Sequence, residues 1–370
     1  AAPTVFSSPV VLGPASVTHP VRVPNATFLD AALFLQDEWE VTNSLRVTAG
    51  LRMDGYQVKT EATPGYEIDS IIEGAEPPID PATLPSVNGE TIDRTAVTGE
   101  AGVVVFGTRP VSLFAHYVRS YRHPNLEELL FAGPATAGSI VPNITVKPET
   151  GHNVDIGTKF RIPYVTGSFS YFNNTYDNFI STEIVALVGS SSSSLESISQ
   201  AVNLAKVRIQ GVEFEANAPF GVGALNVLPY GNASYNHGTV LEGTSPLSGL
   251  SLDDKPQDNI TPWRFNGGLR VSDQAERWWG GYSIRAAGQV DRVSPLLSES
   301  PFLIAQDLLA LDGFSIHRLA AGYDWRAGAQ YLGFVFAVDN LTDKFYREQF
   351  QFAPARGRSF TVSLSVRGVH

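Results

Sequence analysis

The segment LRVTAGLRMD, residues 45–54, alternates between apolar and polar side chains. Leu45, Val47, Ala49, Leu51 and Met53 share one parity, and Arg46, Thr48, Arg52 and Asp54 share the other. Successive side chains of a strand point to opposite faces, so this is a strand with one greasy face and one wet face. The same split separates Phe360, Val362, Leu364 and Val366 from Ser359, Thr361, Ser363 and Ser365, and separates Val212 and Phe214 from Glu213 and Glu215. A face carrying charges this regularly does not suit a dry core. The simplest arrangement turns the apolar parity to lipid and Arg46, Arg52, Asp54, Glu213 and Glu215 to a wet lumen.

Strand candidates come in pairs, with tight turns inside a pair and long connections between pairs. The first two are separated only by Thr42 and Asn43, whereas the next connection runs from about Glu61 to Arg94; six such alternations give about thirteen strands. A soluble sandwich has no reason to alternate short and long connections strictly, but outer-membrane barrels do. The 33 Gly and the 34 Phe and Tyr (21 and 13) agree with an all-β chain. No run approaches the length of a membrane helix, which leaves a barrel open because each of its strands spans with about ten alternating residues. The expected fold is an antiparallel transmembrane β-barrel.

Tyr and Trp cluster near strand ends: Trp39, Tyr56, Tyr117, Tyr121, Trp263, Trp278, Trp279, Trp325, Tyr331 and Tyr346. They are candidates for the girdles of a barrel, although aromatics would also fill a sandwich core. Other classes are excluded more firmly. The chain has no cysteine, hence no disulfide framework and no Cys-ligated metal, and its net charge of −11 opposes nucleic-acid binding. No nucleophile elbow and no His–Glu zinc pair is present, and the seven histidines are scattered. The chain therefore reads as neither an enzyme nor a cofactor or metal protein.

Six segments in order, LFLQDEWEVTNSLRVTAGLRMD, SYRHPNLEELL, VPNITVKPETGHNVDIGTKF, VRIQGVEFEA, FAVDNLTDKFYRE and ARGRSFTVSLSVRG, resemble strand motifs of the barrel of TonB-dependent outer-membrane receptors. The resemblance implies a 22-stranded barrel filled by an N-terminal plug, which imports nutrients with energy from the TonB complex. About thirteen strands correspond to roughly strands ten to twenty-two. On this reading residues 1–28 are an outer loop or N-terminal extension and 29–370 the C-terminal portion of the barrel, with no plug. An open barrel leaves edges unsatisfied in lipid, so a second polypeptide or a missing N-terminal segment is expected to supply the plug and first strands. The family usually ends its last strand with an aromatic residue used in assembly; Gly368, Val369 and His370 stand there instead.

For cargo, AHYVRSYRHPNLEEL is the richest segment: Arg119, Tyr121, Arg122 and His123 lie where a strand rises into a long connection. Cationic and aromatic groups there suit an anionic ferric siderophore. Alternatively, Arg119 and Arg122 pair with wall carboxylates such as Glu213 and Glu215. YRHP and VPNI stand where haem receptors of the family carry two boxes with a ligating His between them, but no His lies between Asn125 and Asn143. The expected function is TonB-energised uptake of a bulky chelate, with cobalamin, oligosaccharide, peptide or a purely structural barrel as alternatives. Acidic connections (Glu61, Glu67, Asp69, Glu73, Glu76, Asp80 and Glu90 in one, and Glu242, Asp253, Asp254 and Asp258 in another) show no ordered calcium-ligand spacing.

Overall fold

The computed structural model describes residues 21–368 except 87–88, 106–109, 136–137, 190–194, 259, 329, 350 and 352. Most of the expected 1–28 extension, residues 1–20, lies outside the described residues; the first strand begins at Ala26. In chain order the strands are β1 (Ala26–Thr42), β2 (Leu45–Thr60), β3 (Thr91–Val105), β4 (Val111–Arg122), β5 (Gly133–Ala135), β6 (Gly138–Val141), β7 (Glu149–Ile162), β8 (Val165–Val188) and β9 (Glu196–Asn217). They continue with β10 (Phe220–Val222), β11 (Leu225–Glu242), β12 (Lys255–Pro256), β13 (Trp263–Asp273), β14 (Trp278–Ala287), β15 (Phe314–Ala327), β16 (Gln330–Asp339) and β17 (Ser359–Gly368). Short helices α1 (Asp69–Ile72), α2 (Leu126–Leu130) and α3 (Pro301–Ala305) lie in the long connections.

Leaving aside the short β5, β6, β10 and β12, thirteen strands form one antiparallel wall in sequence order, the number the alternation predicts. Among the described residues β1 pairs only with β2, and β17 only with β16. Left-handed residues make some of the tight turns: Gly223 (φ 60°), Glu276 (φ 52°) and Gly328 (φ 64°). The strands are longer than expected in two places. β3 starts at Thr91, inside the connection expected to run to Arg94, and the β8–β9 hairpin extends to Val188 and Glu196, absorbing part of GSSSSSLESIS, residues 189–199, whose serines read as a long connection.

The wall has an outer face and an inner face, on which the long connections pack. Through residues 45–54 of β2 the outer face carries Leu51 and Met53, both more than half exposed, and the inner face carries Arg46, Thr48, Arg52 and Asp54. Above Asp54 the sense reverses. Tyr56 and Val58, on the inner parity, are buried, while Gln57 and Lys59 take the outer parity. No register shift separates the two parts of β2 against β3, so the chain keeps its faces and changes what it puts on them. Strand β3 repeats the reversal: Val97, Ala101, Val103 and Val105 share the outer face with Thr91, Asp93 and Thr95, which lie beyond the boundary, where Ile92 and Ala96 are the buried inner residues. In β9 the outer face carries Val212 and Phe214 and then Lys206, Arg208 and Gln210, with Val207 and Ile209 inside. Below the boundary the nine residues Leu45–Met53 match the length of a tilted membrane-crossing strand.

Above the boundary the connections fill the inner side. Tyr56, Val58, Ile92, Leu129, Leu130, Val146, Ile180 and Ala201 form one buried cluster. Leu204, Val207, Val240, Leu252 and Leu296 form a second, and Ala75, Val141, Ala186 and Ile198 a third. The expected girdle is accordingly divided. Trp39, Tyr117, Trp263, Trp278 and Trp325 are exposed. Tyr56 is a core residue, Trp279 lies under the Arg270 guanidinium at 4.4 Å, and Tyr346 packs against Phe314. The Tyr331 side chain lies outside the described residues.

Candidate functional site

At the boundary β3 and β4 part company: their pairing ends at Gly99 opposite Arg119, while β4 stays paired with β7 up to Arg122. Aromatic rings from the following connection close the seam. His123 stacks on Tyr56 with centroids 3.9 Å apart, and Tyr121 meets His123 edge-on at 4.4 Å with its hydroxyl 2.8 Å from Nδ1. The Tyr56 hydroxyl donates to the Pro124 carbonyl at 3.0 Å. Burial holds the His123 imidazolium below its usual range; Asp30 and Asp54 oppose that shift, and Arg94 adds to it.

Leu126–Leu130 fold into α2 because the N-cap Asn125 and Glu128 form a reciprocal capping box, with 2.8 Å bonds in each direction. The same Glu128 carboxylate binds Arg122 at 2.9 and 3.0 Å, and Glu149 lies 3.6 Å from that guanidinium. Helix α2 thereby places Leu129 and Leu130 in the first cluster. Below it, Arg52 clamps Asp54 through Nε and a 2.6 Å Nη2 contact. A recess of about 600 Å³ opens here, lined by Asp30, Arg52, Asp54, Glu100, Tyr121 and His123 among others.

Of the four sequence candidates, Arg119, Tyr121 and His123 border the recess and Arg122 does not. Tyr121 and His123 come together, in a pair completed by Tyr56. Arg122 is on the inner face, engaged by Glu128 and Glu149 and not by Glu213 or Glu215. Arg119 is exposed and sits opposite His152, on the parity of Leu113 and Tyr117, and it borders the same recess from the outer side of the wall. The parity could have been read directly: in a strand, residues three apart point to opposite sides. Of the wall candidates, Arg46 contacts Glu38 and Glu40 at 3.1 and 2.9 Å, and Glu215 accepts from the Ser168 hydroxyl at 3.1 Å. Glu213 shares the parity of Glu215.

A second arrangement was not anticipated. Arg285 of β14 binds Glu348 at 2.9 and 2.6 Å and the Tyr346 hydroxyl at 3.2 Å, and lies over the rings of Phe314 and Tyr346. It ties the connection after β16 to the inner wall, and its guanidinium holds the Glu348 carboxyl below the usual carboxylate range. Among the described residues no three His, Cys, Asp or Glu side chains converge as a metal site.

The model of the family described as TonB dependent receptor-like, beta-barrel, matches residues 4–341. The chain is 24% identical to the probable hemoglobin and hemoglobin-haptoglobin-binding protein 4 of Haemophilus influenzae, over 68% of this chain and 30% of that protein. In fold it is similar to the copper transporter OprC (TM-score 0.67, 20% identity, 92% of this chain and 48% of that one). It is also similar to the siderophore receptor PiuA of Acinetobacter baumannii (TM-score 0.62, 16% identity, 92% and 43%). A third similar structure is the Serratia marcescens hemophore receptor HasR in complex with HasA and heme (TM-score 0.60, 19% identity, 90% and 50%). The chain thus spans half or less of the length of these relatives.

Proposed function

The chain belongs to the family of TonB-dependent receptor β-barrels of the outer membrane, and from that premise we propose that it forms the cargo-receiving wall of a ferric-siderophore importer. The observation that carries this reading is the recess of about 600 Å³ that straddles the membrane boundary, where Tyr121 and His123 approach the Arg52–Asp54 pair. Its volume suits a compact chelate, and its rings and charges supply stacking and polar anchors. Haem fits less well. The His123 ring is stacked on Tyr56, and its Nε2 is shielded from solvent, which withholds that nitrogen from an incoming iron.

Transport requires a closed wall. Hydrocarbon cannot satisfy the free backbone groups along β1 and β17, each of which costs several kcal/mol unpaired. The remaining strands and the plug, which couples to the TonB complex, come from another segment, of the same polypeptide or of a second one.

Uptake of defined ferric siderophores by cells carrying the complete receptor tests the reading. Tyr121→Ala and His123→Ala should reduce uptake of one chelate class about tenfold with surface abundance unchanged. Arg277→Ala, in the tight turn between β13 and β14 and away from the recess, should have no effect. If uptake of every chelate survives both substitutions, the recess is not the receiving site; if no chelate depends on the receptor at all, the siderophore assignment fails.

A further inference from the structure

Directly opposite residues of paired strands lie on the same face, so the pairing register lays out rows across the outer wall. Ala115, Ile156, Tyr171, Val212 and Tyr235 form one row through β4, β7, β8, β9 and β11. The row beneath it is Leu113, Thr158, Phe169, Phe214 and Ala233. Leu113, Ile156, Phe169, Tyr171 and Phe214 are exposed, as a surface wetted by lipid requires. Above these rows comes a mixed one, Tyr117, Val154, Asn173, Gln210 and His237, and then a polar one, Arg119, His152, Thr175, Arg208 and Thr239. No register shift interrupts the pairing between the apolar rows and the polar row.

The polar row carries two guanidinium groups without a matched charge. Among the described residues neither Arg119 nor Arg208 makes an ion pair. Lys206, the next residue outward on this face of β9, differs: it lies 3.6 Å from Asp177 and sits opposite Glu242. A further cation comes from the connection after β14, where Arg292 donates to His237 Nδ1 at 3.1 Å and to the Gly238 carbonyl at 3.2 Å. The chain as a whole carries a net charge of −11, so unmatched cations aligned just above the lipid-facing rows invert its sign locally. Three strand spacings of about 4.8 Å put the Arg119 and Arg208 backbones roughly 14 Å apart. Between them stand His152, whose Nδ1 is 2.8 Å from the Tyr117 hydroxyl, and Thr175.

We propose that the row Arg119, His152, Thr175 and Arg208 docks the phosphate-bearing headgroup of an outer-leaflet lipid, whose acyl chains lie along the apolar rows beneath. The guanidinium fork matches phosphate oxygens two at a time, and anionic headgroups draw Arg to the membrane surface. A free anion would gain nothing from the apolar rows, whereas an amphiphile meets both surfaces at once. Two unmatched cations at this separation suit a headgroup with two phosphates better than one with a single phosphate. The proposal does not depend on the identity of the cargo. Arg119 borders the cargo recess as well as this row, and Arg208 does not, so Arg208 carries the test.

The test is binding of bisphosphorylated lipid A to the complete receptor in a neutral detergent, compared with the same lipid stripped of both phosphates and with inorganic phosphate. The wild type should prefer the bisphosphorylated lipid about tenfold or more, the preference should shrink as sodium chloride is raised, and millimolar inorganic phosphate should not displace the lipid. Arg208→Ala should weaken binding about tenfold with the thermal midpoint in lipid-free detergent unchanged. Arg208→Lys, which keeps the charge and loses the planar fork, should weaken it less, and Lys206→Ala, which removes a charge already matched, least of all. Equal affinity for the two lipids, or an Arg208→Ala protein that binds as the wild type does, overturns the proposal. Displacement by inorganic phosphate overturns the lipid as the source of the anion.

Discussion

Residues 45–54 and 55–60 of β2 belong to one unbroken strand in one register, yet they obey opposite rules. In the lower part, apolar side chains face outward and charges face inward, as lipid outside and a wet interior require. In the upper part, Tyr56 and Val58 face inward beneath α2, and Gln57 and Lys59 face water. The pleat fixes only which residues share a face; what lies against that face decides whether it is greasy. The reversal marks where the hydrocarbon ends, without any measurement of depth.

Substitutions can break this comparison. The largest expected effect is Val58→Asp, which buries an unpaired carboxylate in the first cluster and should destabilise the mouth by about 3 kcal/mol or more. Gln57→Lys, one residue away on the wetted side and opposite Asp93, should stay within about 0.5 kcal/mol. Urea unfolding in lipid vesicles measures both, and equal effects would remove the reversal. Next in size is Leu51→Arg, which points a cation into lipid and should cost about 2–4 kcal/mol. Thr48→Arg, on the inner parity, should cost little in the same assay.

A smaller effect concerns His123. Its folded pKa lies below the unfolded value, so the neutral ring contributes stability above the unfolded pKa, and this is lost as pH falls through the folded pKa. Exchange protection of α2 should therefore weaken on acidification, and His123→Phe should remove that step. The lower part of β2, which has no such histidine, should show none.

Much of the wall was legible in the sequence because a period of two carries through each strand and turn residues punctuate it. The thirteen strands, their order and the outer parity of Leu51 or Leu364 follow from that. The mouth was harder to read. Its strand ends reverse polarity, so Thr91–Thr95 and the Ser-rich ends of the β8–β9 hairpin pass for loop. Arg119 and Arg122 are neighbours in the sequence and were grouped for that reason, although their parity separates them. Tyr56 pairs with His123 and Arg285 with Glu348 across more than 60 residues, through connections whose paths no local pattern encodes.

The first buried cluster draws on β2, β3, α2, β8, β9 and the connection before β7. Its members come from three separate excursions of the chain beyond the membrane, so none of these connections is a module. Removing one to map a receptor epitope or a phage-binding determinant would strip the packing from the others and would report collapse of the whole crown. Mutational mapping of this surface is better done with single changes on the solvent side, leaving the shared interior intact.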